Sequence, residues 1–181
     1  VIASDDHYTP HLGALICSIC DHFPADKFLD LIILDGGISQ EHQKMLARLL
    51  PAHAQIQFLE LAGEFQQLAT HMHFSRATFY RLVLDKLIPN REKVLYIDCD
   101  TIVLDDISKL FDTPLGDHAL GVVFDYIMHH FCLNDVLSID TTGSLPAKRY
   151  LRDYVGLEEG WQHYFQAGVI LFNMEKLRRL D

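Results

Sequence analysis

Lys93-Val94-Leu95-Tyr96-Ile97-Asp98-Cys99-Asp100 is the stretch whose reading decides the fold. Four apolar residues in succession, closed by a pair of acids, describe a strand buried on both faces that runs straight into carboxylates. In an extended segment side chains alternate, so Asp98 and Asp100 point to one side about 7 Å apart along the strand, with Cys99 opposite. Two carboxylates that close repel each other unless a cation or a strong donor compensates them. Oxygen-only ligation selects a hard cation, Mg2+ or Mn2+, which keeps positions open for water and phosphate oxygens. A diphosphate leaving group is the natural partner, because the metal offsets the charge that builds on it. A lone D-x-D is weak evidence, since strand-to-loop junctions collect Asp for turn formation alone.

Upstream of this stretch the chain repeats a strand-then-helix pattern. Residues 1–3 are short and apolar, Ser4, Asp5, Asp6 and His7 follow, and Pro10 opens a helix running to about His22. The apolar run 31–34 is ended by Asp35-Gly36-Gly37, after which Ser39 caps a helix that stops at Pro51. Residues 55–61 read as a third strand. A long amphipathic helix is predicted over 75–88, with Phe79, Leu82, Val83 and Leu87 at helical spacing and Pro89-Asn90 ending it. Downstream come a short helix at 107–111, an apolar strand at 119–124 ending in Asp125, and a strand at 168–172 leading into a helix near Met174. Residues 126–160 carry few periodic signals before a candidate helix at 147–155, and read as a surface excursion beside the site. The alternation predicts an α/β fold, a mostly parallel sheet with helices on both faces. Ligands of such sheets bind at the carboxyl ends of strands, and three strands end there in acids: Asp5, Asp98 with Asp100, and Asp125.

At 181 residues and 49% hydrophobic, the chain can bury one substantial core, and a single domain over 1–181 is expected. Fifteen Lys and Arg against twenty-five Asp and Glu give a formal net charge of -10, which repels a nucleic-acid backbone, and no basic patch overrides it. Lys176, Arg178 and Arg179 fit the last turn of a helix. No apolar run is long enough for a transmembrane segment and no leader precedes the first strand, so a soluble, cytoplasmic protein is expected. Cys17 and Cys20 form a C-x-x-C, but within LGALICSICDHF rather than at a helix start, so they read as packing thiols and not as a redox pair. The chain opens on Val1 and reads as a piece truncated at its C-terminus.

VLYIDCDTIVLDDISKLFD resembles the aspartate motif of family 8 of the retaining glycosyltransferases. IASDDHY resembles that family's first-strand nucleotide loop, SRATFYRL its donor-side helix, and YFQAGVILFN its strand after the acceptor region. The four segments keep the family's order and span nearly the whole chain. The resemblance points to bacterial lipopolysaccharide galactosyl- and glucosyltransferases. It implies a GT-A type fold and metal-dependent transfer of galactose or glucose, with retention, from a UDP-sugar to a saccharide acceptor such as lipopolysaccharide or lipooligosaccharide. Peripheral contact with the inner face of a bacterial membrane would then come through a C-terminal part absent here.

By position, the resemblance puts Ala3, Ser4, Asp5, His7 and Tyr8 where the family binds uridine, with an acid for the uracil N–H and a ring to stack on the base. Arg81 falls where an arginine supports the donor, either on the diphosphate or by orienting a neighbouring aspartate. Asp98 and Asp100 match the metal ligands, and Cys99 lends backbone contact to the ribose. Asp125 and Gln166 line the sugar pocket, which His73 would also face. Two departures stand out. The family usually has Asn where this chain has Gln166, and the family's histidine that completes the metal shell comes after Asp181. Retention by double displacement needs a nucleophile beneath the anomeric carbon, and no residue offers itself. Same-face attack assisted by the leaving phosphate then leaves Asp125 and Gln166 to position the sugar and stabilise positive charge.

Plainer roles compete for each residue. Arg81 can pair with Asp85 one helical turn on, His73 beside His71 reads as a surface histidine, Tyr8 can be core, and His129-His130 lacks zinc-site spacing. A haloacid-dehalogenase-type phosphatase also ends a strand in D-x-D, but needs a threonine four positions after the first aspartate, where this chain has Ile102. A noncatalytic nucleotide-binding module is the rival of another class. Metal-dependent UDP binding without turnover distinguishes it.

Overall fold

The computed structural model of the chain describes residues 1–60, 76–134, 145–157 and 160–180, with backbone alone at 76–79. Strands β1 (Ile2–Ser4), β2 (Leu29–Asp35) and β3 (Ala54–Glu60) form one parallel sheet in the order β1-β2-β3, with Ile2 opposite Ile33 and Leu29 opposite Ala54. Strands β4 (Lys93–Ile97), β5 (Leu120–Phe124) and β6 (Phe165–Asn173) form a second in the order β4-β6-β5. Val1 joins the two. Its amino group donates to the Leu95 carbonyl at 2.6 Å and its carbonyl accepts from Ile97 N at 3.0 Å, the slanted pattern of a parallel pair. β1, β2 and β4 therefore run the same way, and Ser4, Asp35 and Asp98 emerge at one edge. β6 runs antiparallel to β4, with Lys93 opposite Asn173 and Ile97 opposite Val169, an exception within the mostly parallel sheet.

Helix α1 (Thr9–His22) begins as the proline predicts, and Leu12, Leu15, Ile16 and Ile19 at helical spacing are almost wholly buried in the core with Ile2, Leu31, Ile33, Leu95 and Ile97. No side chain caps its start. That omission costs about 1 kcal/mol, whereas each buried aliphatic side chain contributes about 1.5–3 kcal/mol, so packing holds the helix. Ser39 caps α2 (Gln40–Ala47) by accepting from His42 N. Between β2 and α2, Asp35 is buried and accepts from Gly37 N at 2.8 Å, Ile38 N at 2.6 Å and Gln43 Nε2 at 2.7 Å. Gly37 has φ 111°, which favours glycine. A Cβ on Gly36 would sit 3.0 Å from the Ser4 carbonyl oxygen, so glycine also permits the close approach of the two strand ends.

The helix predicted over 75–88 is corrected. Arg76–Val83 wind as a 3-10 helix and only Leu84–Leu87 (α3) are α-helical, the change falling at Val83 with φ -128° and ψ 22°. The inward face is Tyr80, Arg81, Leu84 and Ile88, while Leu82 is 73% exposed. The apolar stripe was assigned to the wrong face because a charged residue, Arg81, is turned inward.

Short helices α4 (Ser108–Phe111) and α7 (Met174–Arg178) follow the positions expected for them. The chain divides into two compact units, Val1–Gly121 with Gly168–Asp181, and Val122–Ala167. It leaves the first within β5 and returns within β6. The second unit contains α5 (Tyr126–Leu133), not foreseen from sequence, and α6 (Ala147–Asp153), with its own small core of Cys132, Ala147 and Leu151. Among the described residues, no helix is long and apolar enough to cross a membrane.

Candidate functional site

β4 ends at Ile97, and Asp98-Cys99-Asp100 then turn instead of continuing the strand. Asp98 N donates to the Gly168 carbonyl at 2.7 Å, and Thr101 N closes back on the Asp98 carbonyl at 3.3 Å. The strand-based alternation of the two acids is thereby corrected: Asp98 and Cys99 are half-buried and Asp100 is exposed.

Asp98 is held from two sides. Arg81 Nη2 donates to its Oδ1 at 2.8 Å, with the arginine side chain 10% exposed and the aspartate 30%. The Tyr96 hydroxyl donates to the same oxygen at 2.9 Å, and the Arg81 guanidinium lies 4.6 Å from the centre of the Tyr96 ring. Arg81 thus pairs with the first aspartate of the turn. Tyr96 was missed as a site residue. The available signal was a tyrosine on a buried strand, whose hydroxyl must find a partner. Burial, reinforced by the Asp98 charge, pushes the phenol far above its ordinary pKa, so it stays a donor.

Cys99 lies between the two acids. Burial pushes its thiol up to about 11, the Asp100 charge adds to this, and a hydrogen bond with Ser4 opposes it. The thiol is therefore protonated near neutrality.

Ala3 and Ser4 are buried at the end of β1, and Ser4 Oγ donates to the Asp5 carbonyl at 3.2 Å. Asp5 Oδ1 accepts from Tyr8 N at 3.2 Å, folding the loop over itself. The half-buried Tyr8 ring lies between His7 (5.6 Å, edge-on) and His11 (5.4 Å), so its surroundings are aromatic and polar rather than the apolar core. Asp6 fastens the loop to α2, its Oδ1 accepting from Ser39 N at 2.8 Å and lying 2.7 Å from His42 Nδ1. Ser4, Asp5, Tyr8, Arg81, Asp98, Cys99 and Asp100 thus all sit on or beside the carboxyl ends of β1 and β4.

In the second unit, Asp125 caps α5, accepting from Met128 N at 2.8 Å. Burial raises the nearby Tyr164 hydroxyl, with the Asp125 charge contributing. Gln166 is exposed on β6. His129 is buried against Phe124 and Trp161, away from any zinc-like grouping among the described residues. His71 and His73 lie outside the described residues.

A cavity of about 510 Å3 opens at the other edge, lined by Val1, Phe23, Leu29, Leu31, Val94 and Phe111 among others. It is mainly apolar and contains none of the predicted site residues. The chemistry gathers at the carboxyl edge, as strand polarity requires.

The donor set of that edge suits a hard cation. Two carboxylates stand two residues apart, and among the described residues no third His, Cys, Asp or Glu joins them; a hard cation held there would keep positions open for other ligands. Asp98 Oδ1 already serves two donors, which leaves Oδ2 and the exposed Asp100 for a cation.

The family model for glycosyl transferase family 8 matches residues 1–181. General stress protein A of Bacillus subtilis (strain 168) is 27% identical over 183 residues, an alignment covering 99% of this chain and 57% of that protein. The apo structure of the bifunctional glycosyltransferase WbbM superposes with a TM-score of 0.84 at 31% identity, covering 99% of this chain and 32% of that one. The galactosyltransferase LgtC, solved in complex with donor and acceptor sugar analogs, superposes with a TM-score of 0.77 at 29% identity, covering 99% of this chain and 59% of that one. The chain therefore spans about a third of one of these proteins and little more than half of the other two. The fold is of the GT-A type.

Proposed function

The chain belongs to glycosyl transferase family 8, and on that premise we propose that it is the nucleotide-sugar-binding domain of a metal-dependent, retaining hexosyltransferase. The donor is a UDP-sugar carrying galactose or glucose, and the acceptor is a saccharide of the lipopolysaccharide or lipooligosaccharide class. The protein then works in the cytoplasm, peripheral to the inner face of a bacterial membrane. The observation that carries this reading is the Asp98-Cys99-Asp100 turn beside the loop that follows β1, with Asp98 braced by Arg81 and Tyr96.

In this reading Asp98 and Asp100 hold Mn2+ or Mg2+, which when bound supplies a counter-charge to the leaving diphosphate. The chain's own residues do the rest. Asp5 accepts from the uracil N–H, and Tyr8, with His7 at its edge, offers a ring face to the base. Ala3, Ser4 and Cys99 present small groups and backbone to the ribose. Arg81 keeps the Asp98 carboxylate oriented before donor arrives, which lowers the cost of assembling the site. Asp125 and Gln166 position the sugar and face the positive charge that develops at its anomeric carbon, in a same-face attack where the leaving phosphate takes the acceptor proton. As the N-cap of α5, Asp125 has one oxygen engaged by Met128 N, and among the described residues the other takes no hydrogen bond.

Calorimetric titration of UDP into the natural full-length protein tests the reading, with Mn2+, with chelator, and in an Asp98→Ala/Asp100→Ala variant. Binding should require both the metal and the aspartates, and UDP release from UDP-galactose or UDP-glucose should follow in the presence of acceptor. Metal-dependent UDP binding with no turnover on any sugar would assign a binding module instead. Binding indifferent to metal and aspartates would defeat the proposal.

A further inference from the structure

We infer that Tyr96 is a positioning residue for the cation, acting through Asp98; the inference rests on the metal reading above and adds a group to it. Tyr96 is the last residue but one of β4, 1% exposed, with its ring fixed inside the sheet. Its hydroxyl donates to Asp98 Oδ1 at 2.9 Å, and the same oxygen accepts from Arg81 Nη2 at 2.8 Å. Two donors converging on one carboxylate oxygen fix both the rotation of the carboxylate and which oxygen is presented. Oδ1 is engaged, and Oδ2 takes no donor from the described residues, so it is the oxygen offered to a cation. The Arg81 guanidinium over the Tyr96 ring, 4.6 Å from its centre, binds the three side chains into one unit.

The arrangement has two separable parts. The ring supports the guanidinium, and the hydroxyl orients the carboxylate. Tyr96→Phe removes only the second, keeping the ring, the stack and the Arg81–Asp98 pair. A hydroxyl that merely satisfied its own burial would matter for stability and not for the metal. One that orients a ligand matters for metal affinity, where losses of outer partners of this kind run to about 10–100-fold.

The experiment is Mn2+ titration of the natural full-length protein and its Tyr96→Phe variant with UDP present, reading free Mn2+ by electron paramagnetic resonance. Thermal midpoints are taken in parallel without metal or nucleotide. The expected result is Mn2+ affinity about 10-fold weaker in the variant, with the metal-free midpoint moved by less than about 2 °C. Equal Mn2+ affinity in the two proteins overturns the proposal. So does a weakened affinity accompanied by a large fall in the metal-free midpoint, which would make the hydroxyl a structural group. If the unaltered protein takes up no Mn2+ with UDP, the metal reading fails and this inference falls with it, a result distinct from equal uptake by both.

Discussion

Replacing Arg81 with alanine probes the centre of the site without touching either aspartate. Breaking a fully buried ion pair by removing one partner costs about 3–5 kcal/mol, and a surface pair contributes about 0–1 kcal/mol. With side chains 10% and 30% exposed, the Arg81–Asp98 pair lies between these limits, Asp98 keeping access to water after the arginine is gone. Loss of the guanidinium from the Tyr96 ring adds about 0.5–1 kcal/mol. The expected destabilisation is thus about 2–3 kcal/mol, read from urea unfolding monitored by circular dichroism. Much of it comes from leaving a half-buried carboxylate without its cation, so neutralising that carboxylate should return part of it. In the double variant Arg81→Ala/Asp98→Asn the two costs should fall short of their sum by about 1–2 kcal/mol. Arg81→Ala within about 0.5 kcal/mol of the parent, or strictly additive costs in the double variant, would refute the reasoning.

Two further substitutions test the frame around the site. Asp35→Ala deprives two backbone amides and the Gln43 amide of a buried charged acceptor, and should cost about 3 kcal/mol or more in the same unfolding assay, well beyond Asp30→Ala at the more exposed start of the strand. Asp6→Asn addresses pH. The Ser39 N–H and then His42 hold the Asp6 carboxyl below its ordinary value of 3.8, so its contribution is present above that value and is lost as pH falls through the lower, folded one. Stability of the parent should therefore exceed that of Asp6→Asn at pH 6, with the gap closing as pH falls past 3.8 and through the lower, folded value; a gap that stays constant on acidification would show that the Asp6 charge is not its source.

Local signals carried most of the architecture. Lys93–Ile97 was legible as a strand because its apolar run is bounded by charges, although the extended reading ran on into Asp98-Cys99-Asp100, and the starts of α1 and α2 were legible from Pro10 and Ser39, whose effects act within one turn of backbone. Family 8 membership was readable from four segments in order, and the family model spans the same residues. What failed had distant causes. The turn at Asp98 is set by the Gly168 carbonyl on an antiparallel strand, which no window around residue 98 contains. The inward face at Tyr80 and Arg81 follows from a charge partner, Asp98, just beyond the end of β4, so apolar spacing pointed the wrong way. Helix α5 went unseen because its cap, Asp125, had been read only as a site acid and because Tyr126, Ile127 and Leu133 are 78%, 68% and 68% exposed, which blurs any two-sided pattern.

The hydrogen bond from Asp98 N to the Gly168 carbonyl also sets an order of events during translation. The first sheet, α1 and β4 can be assembled from residues already outside the ribosome, yet the amide that starts the aspartate turn has no partner until the second unit has been synthesised and β6 has emerged. At ordinary elongation rates that interval lasts on the order of four to fourteen seconds. Through it, the two acids of the turn stand at the end of a finished strand without the backbone anchor that shapes them, and the turn is completed only when a strand running the opposite way is laid beside β4.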